Sequence, residues 1–388
     1  MRTFTRMSWV VALAATLFGS AACREDQPSS DAGEPDLQLD ELDASVAKRL
    51  DEAVLQGMHE MDIPGVLVGL WMPDRGAYVR AFGVADKATG AAMKTDLYMR
   101  IGSVTKTFTV TALLQLVDQG KVGLDDPILK YVTGVPEGNR ITLRHLAGMQ
   151  SGLHDFYADA DFTRTLVGDP HHVFTTDELL GYGFQHPLSF EPGTRFAYSN
   201  TNTVLLGRVI ETVSGQPLGE YLQEHVFTPL HLTNTSYPTT SFFPAPHPHA
   251  YTNQTPDGRV VDGSEWNLWS AGAAGAVISK LDDMRLWARA LATGRLLTPE
   301  TYALRLKGAL ISQKAAVSYA LGLFDAGGWL GHNGSIAGFE SLVVHRVSRD
   351  VSLVILLTTD IPHDGRTATS RIAKDMTKIV TPESPFPL

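Results

Sequence analysis

Ser103 and Lys106 are the two residues of this sequence whose types and spacing point most directly to chemistry. They lie in the segment RIGSVTKTFTVTALLQLVDQG (100–120), in which Lys106 is the only charged residue between positions 104 and 117. A helix that is apolar on nearly all sides is buried. Burial near the positive end of a helix dipole lowers the pKa of a lysine toward a neutral amine. The segment therefore predicts a serine nucleophile with an adjacent amine base, close to helix N–H groups that can stabilise an oxyanion.

The Ser-x-x-Lys spacing alone is weak evidence, because the chain contains it twice. Ser45 and Lys48 repeat it in the charged segment DELDASVAKRLDE (40–52). We expect this second pair to lie on a solvated face of a helix. The apolar surroundings distinguish Ser103 from it.

A second candidate group is Tyr198-Ser199-Asn200, which follows EPGT (191–194) and precedes a helical stretch. A phenol beside cations has a lowered pKa and can relay protons. Asn200 offers a donor and an acceptor to an amide substrate. The alternative is an asparagine helix cap with a packed tyrosine, and a second Tyr-x-Asn occurs in a loop sequence at 251–253.

A third group, His332-Asn333-Gly334, comes just before a predicted strand at 339–347. Its small neighbours would let a substrate backbone approach closely. His332 could hold a carboxylate or tune the proton of Tyr198; alternatively it is a structural hydrogen-bonding residue. The ordered set of three motifs is more specific than any one of them, and it favours catalysis.

Other chemistries lack their residues. The net charge of −10 and the absence of clustered basic residues argue against a nucleic-acid partner. The sequence has no Gly-x-Ser-x-Gly, no His-Glu-x-x-His and no glycine-rich phosphate loop. The pairs His171–His172 and His247/His249 could bind a metal, but their place in loops favours solvent exposure instead. Neither a metal nor another cofactor is predicted.

The periodicity predicts an α+β fold. A helical pattern at 37–61 precedes two strand-like runs, and further strand-like runs occur late in the chain, before a helix at 367–380. The predicted strands are residues 65–72, 77–85, 319–324, 339–347 and 351–358. We expect an antiparallel sheet built from both chain ends and flanked by helices (about 37–110 and 300–385). A mostly helical part (about 111–299) is inserted between them, within a catalytic domain of residues 37–385, and the cleft lies where the two parts meet.

The N-terminus has the pattern of an export signal over residues 1–22, with a basic start, an apolar run and small residues at its end. Cys23, the only cysteine, follows directly and resembles a bacterial lipidation site. Cleavage near Ala22 without lipidation is the alternative. Residues 23–36 are polar with proline and glycine, and they predict a flexible tether. We expect an exported protein, either a cell-envelope lipoprotein on the periplasmic side, attached to the membrane only through Cys23, or a secreted one.

On these motifs the chain resembles the serine D-alanyl-D-alanine carboxypeptidase and class C β-lactamase family. RIGSVTKTFT, SGL (151–153), EPGTRFAYSNTN, GAVIS (275–279) and GHNGSIAGF are similar to family blocks and occur in the family order. The resemblance runs from about residue 63 to 357, and it implies an antiparallel sheet with helices and an all-helical part.

The resemblance also implies roles for the site residues. Ser103 would be the acylated nucleophile and Lys106 its proton-accepting partner. Tyr198 would act as general base and acid, although which of these two groups accepts the serine proton stays open. Asn200 would bind the substrate amide. The N–H groups of Ser103 and Ser335 would form the oxyanion hole, and His332 would head the third motif.

The third motif separates the activities within the family. Class C β-lactamases typically have Lys-Thr-Gly, and the related extracellular carboxypeptidase has His-Thr-Gly, so His332-Asn333-Gly334 is closer to the latter. Asn333 replaces a threonine that often contacts the substrate carboxylate. The first hypothesis is a carboxypeptidase acting on peptidoglycan stem peptides. The second is a β-lactamase, esterase or D-amino-acid amidase with the same site, and the third is a lipoprotein that binds cell-wall peptides without turnover.

Overall fold

The computed structural model describes residues 39–312, 316–363 and 367–387. Residues 1–22, the tether at 23–36 and Cys23 lie outside the described residues, so the export and lipidation hypotheses stay predictions. In the described part of the chain, no helix combines the length and the apolar character needed to cross a membrane.

The described residues begin with a helix and two strands and end with strands and a helix, as the sequence pattern predicts. The α-helices are α1 Ala44–Glu60, α2 Thr105–Asp118, α3 Leu143–Ala147, α4 Ala160–Gly168, α5 Thr176–Phe184, α6 Asn200–Ser214, α7 Leu218–Leu222, α8 Leu281–Thr293, α9 Pro299–Arg305 and α10 Ala368–Val380. The strands are β1 Gly65–Met72, β2 Gly76–Asp86, β3 Ala91–Ala92, β4 Met99–Arg100, β5 Tyr251–Thr252, β6 Val261–Asp262, β7 Ile278–Ser279, β8 Ala309–Ser312, β9 Val317–Tyr319, β10 Phe324–Ala326, β11 Trp329–Ile336, β12 Phe339–Arg346 and β13 Val351–Leu357.

Nine of these strands form one antiparallel sheet in the order β3-β2-β1-β13-β12-β11-β10-β9-β8. The two chain ends meet at its centre, where β1 pairs with β13 and Val66 lies opposite Leu357. The α+β fold with a sheet from both ends is therefore confirmed. Helices α3 to α7 lie in the sequence between β4 and β5, while the exact division into two parts stays a prediction.

The sheet is buried on both faces, which explains the uninterrupted apolar sequence of β1. Leu67 and Trp71 belong to the core on the side of α2 and α8. Val66, Val68 and Leu70 belong to the core on the side of α1 and α10. This alternation has the period of two that a strand imposes, so helices cover the sheet that carries the site.

One strand prediction near the third motif is wrong. Residues 319–324 are expected to form one strand, but Tyr319 ends β9 and Phe324 begins β10, with a turn between them. Gly322 makes this turn with φ of +70°, and a Cβ there would lie 2.5 Å from Val110. The motif at 332–334 does precede the predicted strand, which is β12, and it lies in a further strand, β11.

Helix α1 starts later than the predicted position 37. Asp43 caps it, because its carboxylate accepts hydrogen bonds from the backbone N–H groups of Ser45 and Val46. Ser45 and Lys48 are both exposed on this helix. The second Ser-x-x-Lys pair is thus a solvated helix face, as expected.

Candidate active site

The first turn of α2 brings Ser103 and Lys106 together. Gly102–Val104 forms a short 3₁₀ turn that leads into α2, and most side chains of α2 are buried. Lys106 is completely buried, as its apolar surroundings predict. Its Nζ lies 2.9 Å from Ser103 Oγ, 2.7 Å from Asn200 Oδ1 and 2.8 Å from the carbonyl oxygen of Ala274.

Asp155 determines which atom of Asn200 faces the lysine. Its carboxylate accepts hydrogen bonds from Asn200 Nδ2 at 3.1 and 3.2 Å and from the Asn200 backbone N–H at 3.0 Å. The carboxamide oxygen must then point the other way, toward Lys106. The sequence reasoning missed Asp155, although it stands two residues after the SGL block in the printed sequence.

The contacts of Lys106 suit an amine that can gain and lose a proton. Asn200 Oδ1 and the Ala274 carbonyl oxygen can only accept hydrogen bonds, so they use two N–H groups. Toward Ser103 Oγ the ammonium form donates its third N–H, whereas the neutral amine presents its lone pair to the hydroxyl. Burial lowers the pKa of Lys106 to about 7, and the charge of Asp155 partly opposes this shift. A large fraction of the amine is therefore unprotonated at neutral pH.

Tyr198 contacts Ser103 from another side. Its hydroxyl donates a hydrogen bond to Ser103 Oγ at 2.9 Å, and Lys106 Nζ lies 4.9 Å from the centre of its ring. The expectation that nearby cations lower the pKa of this phenol is wrong. Burial, and after it the neighbouring Tyr319, raise the pKa of Tyr198 well above the ordinary range. Tyr198 is therefore a neutral hydroxyl donor in the resting site.

His332 lies in the site but does not contact Ser103 directly. Its Nδ1 donates to the carbonyl oxygen of Asn333, so its Nε2 accepts from the hydroxyl of Tyr319, 3.0 Å away. Burial and the charge of Lys106 lower the pKa of His332 to about 3. His332 is therefore a neutral imidazole. The sequence analysis did not identify its partner Tyr319, because no local sequence pattern indicates this contact.

The strand β11 lies directly against the turn that carries the nucleophile. A Cβ built on Gly334 would lie 2.1 Å from the carbonyl oxygen of Ile101 and 2.9 Å from the backbone nitrogen of Ser103. A Cβ on Gly102 would lie 3.0 Å from the nitrogen of Ser335. Because neither glycine has a Cβ, β11 can lie close to the backbone turn at Ser103. The backbone N–H groups of Ser103 and Ser335 are thereby brought near each other.

A cleft of about 420 Å³ opens above Ser103. Tyr157, Tyr198 and Ile336 contribute apolar surface, while Asn200 and Asn333 contribute carboxamides. Asp, Glu, Lys and Arg do not occur among the residues that line it. The third motif therefore places polar but uncharged groups in the cleft.

A family model described as Beta-lactamase matches residues 50–376. The chain belongs to this family of serine hydrolases. The D-aminopeptidase of Brucella anthropi is 31% identical over 302 residues, which cover 76% of this chain and 56% of that protein. The chain also spans 62% of the length of Protein flp from Staphylococcus aureus, to which it is 24% identical over 327 residues.

Solved structures of the family superpose on most of this hydrolase. The D-stereospecific amidohydrolase from a Streptomyces species is 30% identical with a TM-score of 0.77, and the match covers 87% of this chain and 98% of that one. The D-amino acid amidase from Ochrobactrum anthropi SV3, complexed with L-phenylalanine amide, is 27% identical with a TM-score of 0.75 over the same shares.

Proposed function

We propose that the protein is a D-stereospecific amide hydrolase that forms an acyl-enzyme at Ser103. The observation that carries the proposal is the lining of the cleft, which surrounds the nucleophile with uncharged groups. A free C-terminal carboxylate would find no fixed cation there, because Lys106 is buried behind Ser103 and His332 is neutral. A neutral amide leaving group fits this lining better. The names of the similar amidohydrolase and amidase support the preference for D-residues.

In acylation, Lys106 Nζ accepts the proton of Ser103 as Oγ attacks the carbonyl carbon of the substrate. The N–H groups of Ser103 and Ser335 donate to the developing oxyanion. Tyr198 then donates its proton to the leaving nitrogen, the C–N bond breaks, and the phenolate recovers a proton from the ammonium of Lys106.

Deacylation reverses these proton transfers with water in place of the amine. The restored amine of Lys106, with Tyr198 beside it, accepts a proton from water, and the hydroxide attacks the ester carbonyl. Ser103 leaves and regains its proton. Asn200 holds Lys106 through its carboxamide oxygen and offers no charge to the substrate.

The second candidate is a D-alanyl-D-alanine carboxypeptidase acting on peptidoglycan stem peptides. The half-buried Asn333 favours it, because its carboxamide can donate hydrogen bonds to a carboxylate from β11. The same site would serve a β-lactamase or an esterase if the acyl-enzyme formed from a lactam or an ester were hydrolysed quickly.

The decisive experiment compares matched substrates. An N-acetylated peptide ending in D-Ala-D-Ala is offered with a free carboxylate and with a C-terminal carboxamide, and D- and L-phenylalanine amide are compared in parallel. We expect faster cleavage of the carboxamide peptide and of the D-amide, each by at least about tenfold. Preference for the carboxylate peptide would instead support the carboxypeptidase, and rapid turnover of a chromogenic cephalosporin alone would support the β-lactamase.

For location, we propose export with a lipid anchor at Cys23. The test is metabolic labelling with a radioactive fatty acid, in which the Cys23→Ala variant should lose the label while Ser45→Ala keeps it. Labelling of both or of neither protein would contradict the anchor.

A further inference from the structure

Three potential metal ligands meet next to the active-site loop. His154, Asp159 and His186 each place one ligand atom within 4.8 Å of the others. His154 follows the SGL block, Asp159 caps α4, and His186 comes after α5. The two imidazole rings have their centres 4.0 Å apart and are tilted by 36° to each other.

Hydrogen bonds fix the orientation of the Asp159 carboxylate. Its Oδ1 accepts hydrogen bonds from the backbone N–H groups of Asp161 and Phe162 at 2.8 and 2.9 Å. Its Oδ2 accepts from Gln185 Nε2 at 2.8 Å and faces His186 Nε2 at 2.7 Å. Asp159 is only 4% exposed. Hydrogen bonds from two backbone N–H groups and from Gln185 fix this carboxylate in the way that outer-shell donors fix a ligating carboxylate.

His154 supplies the second, independent observation. Its Nε2 is buried, and within the part of the chain that the structure describes it has no hydrogen-bond partner. Buried polar atoms are nearly always paired, so an unpaired imidazole nitrogen beside another histidine and a carboxylate indicates a missing ligand.

We propose that His154, Asp159 and His186 bind a divalent transition-metal ion of the zinc class. Two imidazoles and one carboxylate suit Zn²⁺, Co²⁺ or Ni²⁺ better than Mg²⁺ or Ca²⁺. Tetrahedral zinc holds such ligand atoms about 3.4 Å apart. Binding would therefore separate His186 Nε2 from Asp159 Oδ2, which are 2.7 Å apart, and would bring the wider pairs within the observed 4.8 Å together by rotation of the imidazoles. Solvent can occupy the fourth position.

The proposed metal site is next to Asp155, the residue that orients Asn200 in the active site. The carbonyl oxygen of His154 accepts hydrogen bonds from Thr201 Oγ1 at 2.7 Å and Ser199 Oγ at 3.3 Å. The next residue, Asp155, holds Asn200. A bound ion would therefore fix the backbone that carries Asp155, and it would act on positioning, since its ligands do not line the cleft.

The test titrates Co²⁺ and Zn²⁺ into the full exported chain after treatment with a chelator. We expect one equivalent of Co²⁺ with visible absorption bands of a four-coordinate ion, displaced by Zn²⁺, and a melting temperature that rises with Zn²⁺. His186→Ala and His154→Ala should each weaken binding at least about 100-fold, because each removes a ligand without removing the cap of α4.

His172→Ala is the matched control, because this histidine is also half-buried and contacts a carboxylate, Glu178, at 3.3 Å. It should bind Co²⁺ like the unmodified chain. Absence of saturable binding, or equal binding in the His154→Ala, His186→Ala and unmodified proteins, would overturn the proposal. The test of the metal site does not depend on the proposed reaction, because it measures the absorption of bound Co²⁺ and the melting temperature.

Discussion

Asp155 and Asn200 are joined by three hydrogen bonds, one from the backbone N–H and two from the carboxamide of Asn200. Through them a carboxylate that does not touch Ser103 determines that an oxygen atom, and not an amino group, faces Lys106. The orientation of Asn200, and with it the contact to Lys106, thus depends on a residue 45 positions away from Asn200 along the chain.

We expect Asp155→Asn to lower kcat about 100-fold with little change in KM, because Asn200 loses its orientation and Lys106 moves. The pH midpoint of acylation should also shift downward, since the charge of Asp155 raises the pKa of Lys106. Asp161→Asn, at an exposed position of α4, is the control. An unchanged midpoint with unchanged kcat would contradict the positioning role.

The rate of acylation should rise with pH through about 7, the pKa of Lys106. The sign follows from the mechanism, because only the neutral amine can accept the proton of Ser103. Single-turnover labelling with a penicillin or an activated ester isolates this step from deacylation. A rate that stays flat or falls over this pH range would exclude Lys106 as the base.

Ser103→Ala should abolish covalent labelling by a penicillin probe, and Lys106→Met should slow it at least about a thousandfold. The chain offers its own control in the exposed pair Ser45 and Lys48, whose substitution should leave labelling unchanged. Mass spectrometry of the labelled peptide identifies the modified residue. Labelling that survives in Ser103→Ala refutes the nucleophile.

Tyr198→Phe should impair amide hydrolysis about 100- to 10,000-fold but affect a p-nitrophenyl ester much less. An amide nitrogen needs a proton to leave, whereas p-nitrophenolate leaves without one. The ratio of the two rates is therefore the measurement. Equal losses for both substrates would assign Tyr198 to a step other than protonation of the leaving group.

Gly334→Ala should destroy activity and lower the free energy of unfolding by about 1–3 kcal/mol, because the methyl group would meet Ile101 and Ser103. Gly168→Ala is the matched control, since a Cβ there has no neighbour within 4 Å. Denaturant unfolding monitored by circular dichroism, together with the rate of amide hydrolysis, tests both variants. Full activity in Gly334→Ala would show that β11 and the nucleophile turn can separate.

The sequence predicted those parts of the site whose cause is local. A single lysine in an apolar segment is enough to predict a buried helix with a perturbed amine, and largely apolar runs predict β1, β12 and β13. Strand β11 was not predicted as a strand because Gly331 and Gly334 weaken its pattern, although close contact with the nucleophile turn requires Gly334.

The remaining errors concern contacts between distant segments. Asp155 and Tyr319 act on residues 45 and 13 positions away, so no short motif indicates them. The direction of the pKa shift of Tyr198 depends on how the folded chain packs around its hydroxyl, because burial is the largest cause of the rise. A histidine and carboxylate cluster was likewise hidden, because His154 and His186 come together only when the loops fold.

The pairing of β1 with β13 has a consequence for synthesis of the chain. Val66 leaves the ribosome long before Leu357, its partner in the middle of the sheet. Until the last strand arrives, one edge of β1 has no neighbour, and closing so long a loop is slow. The sheet consequently stays unfinished, and the polypeptide stays open to chaperones or to translocation, until the strand that contains Leu357 has been added.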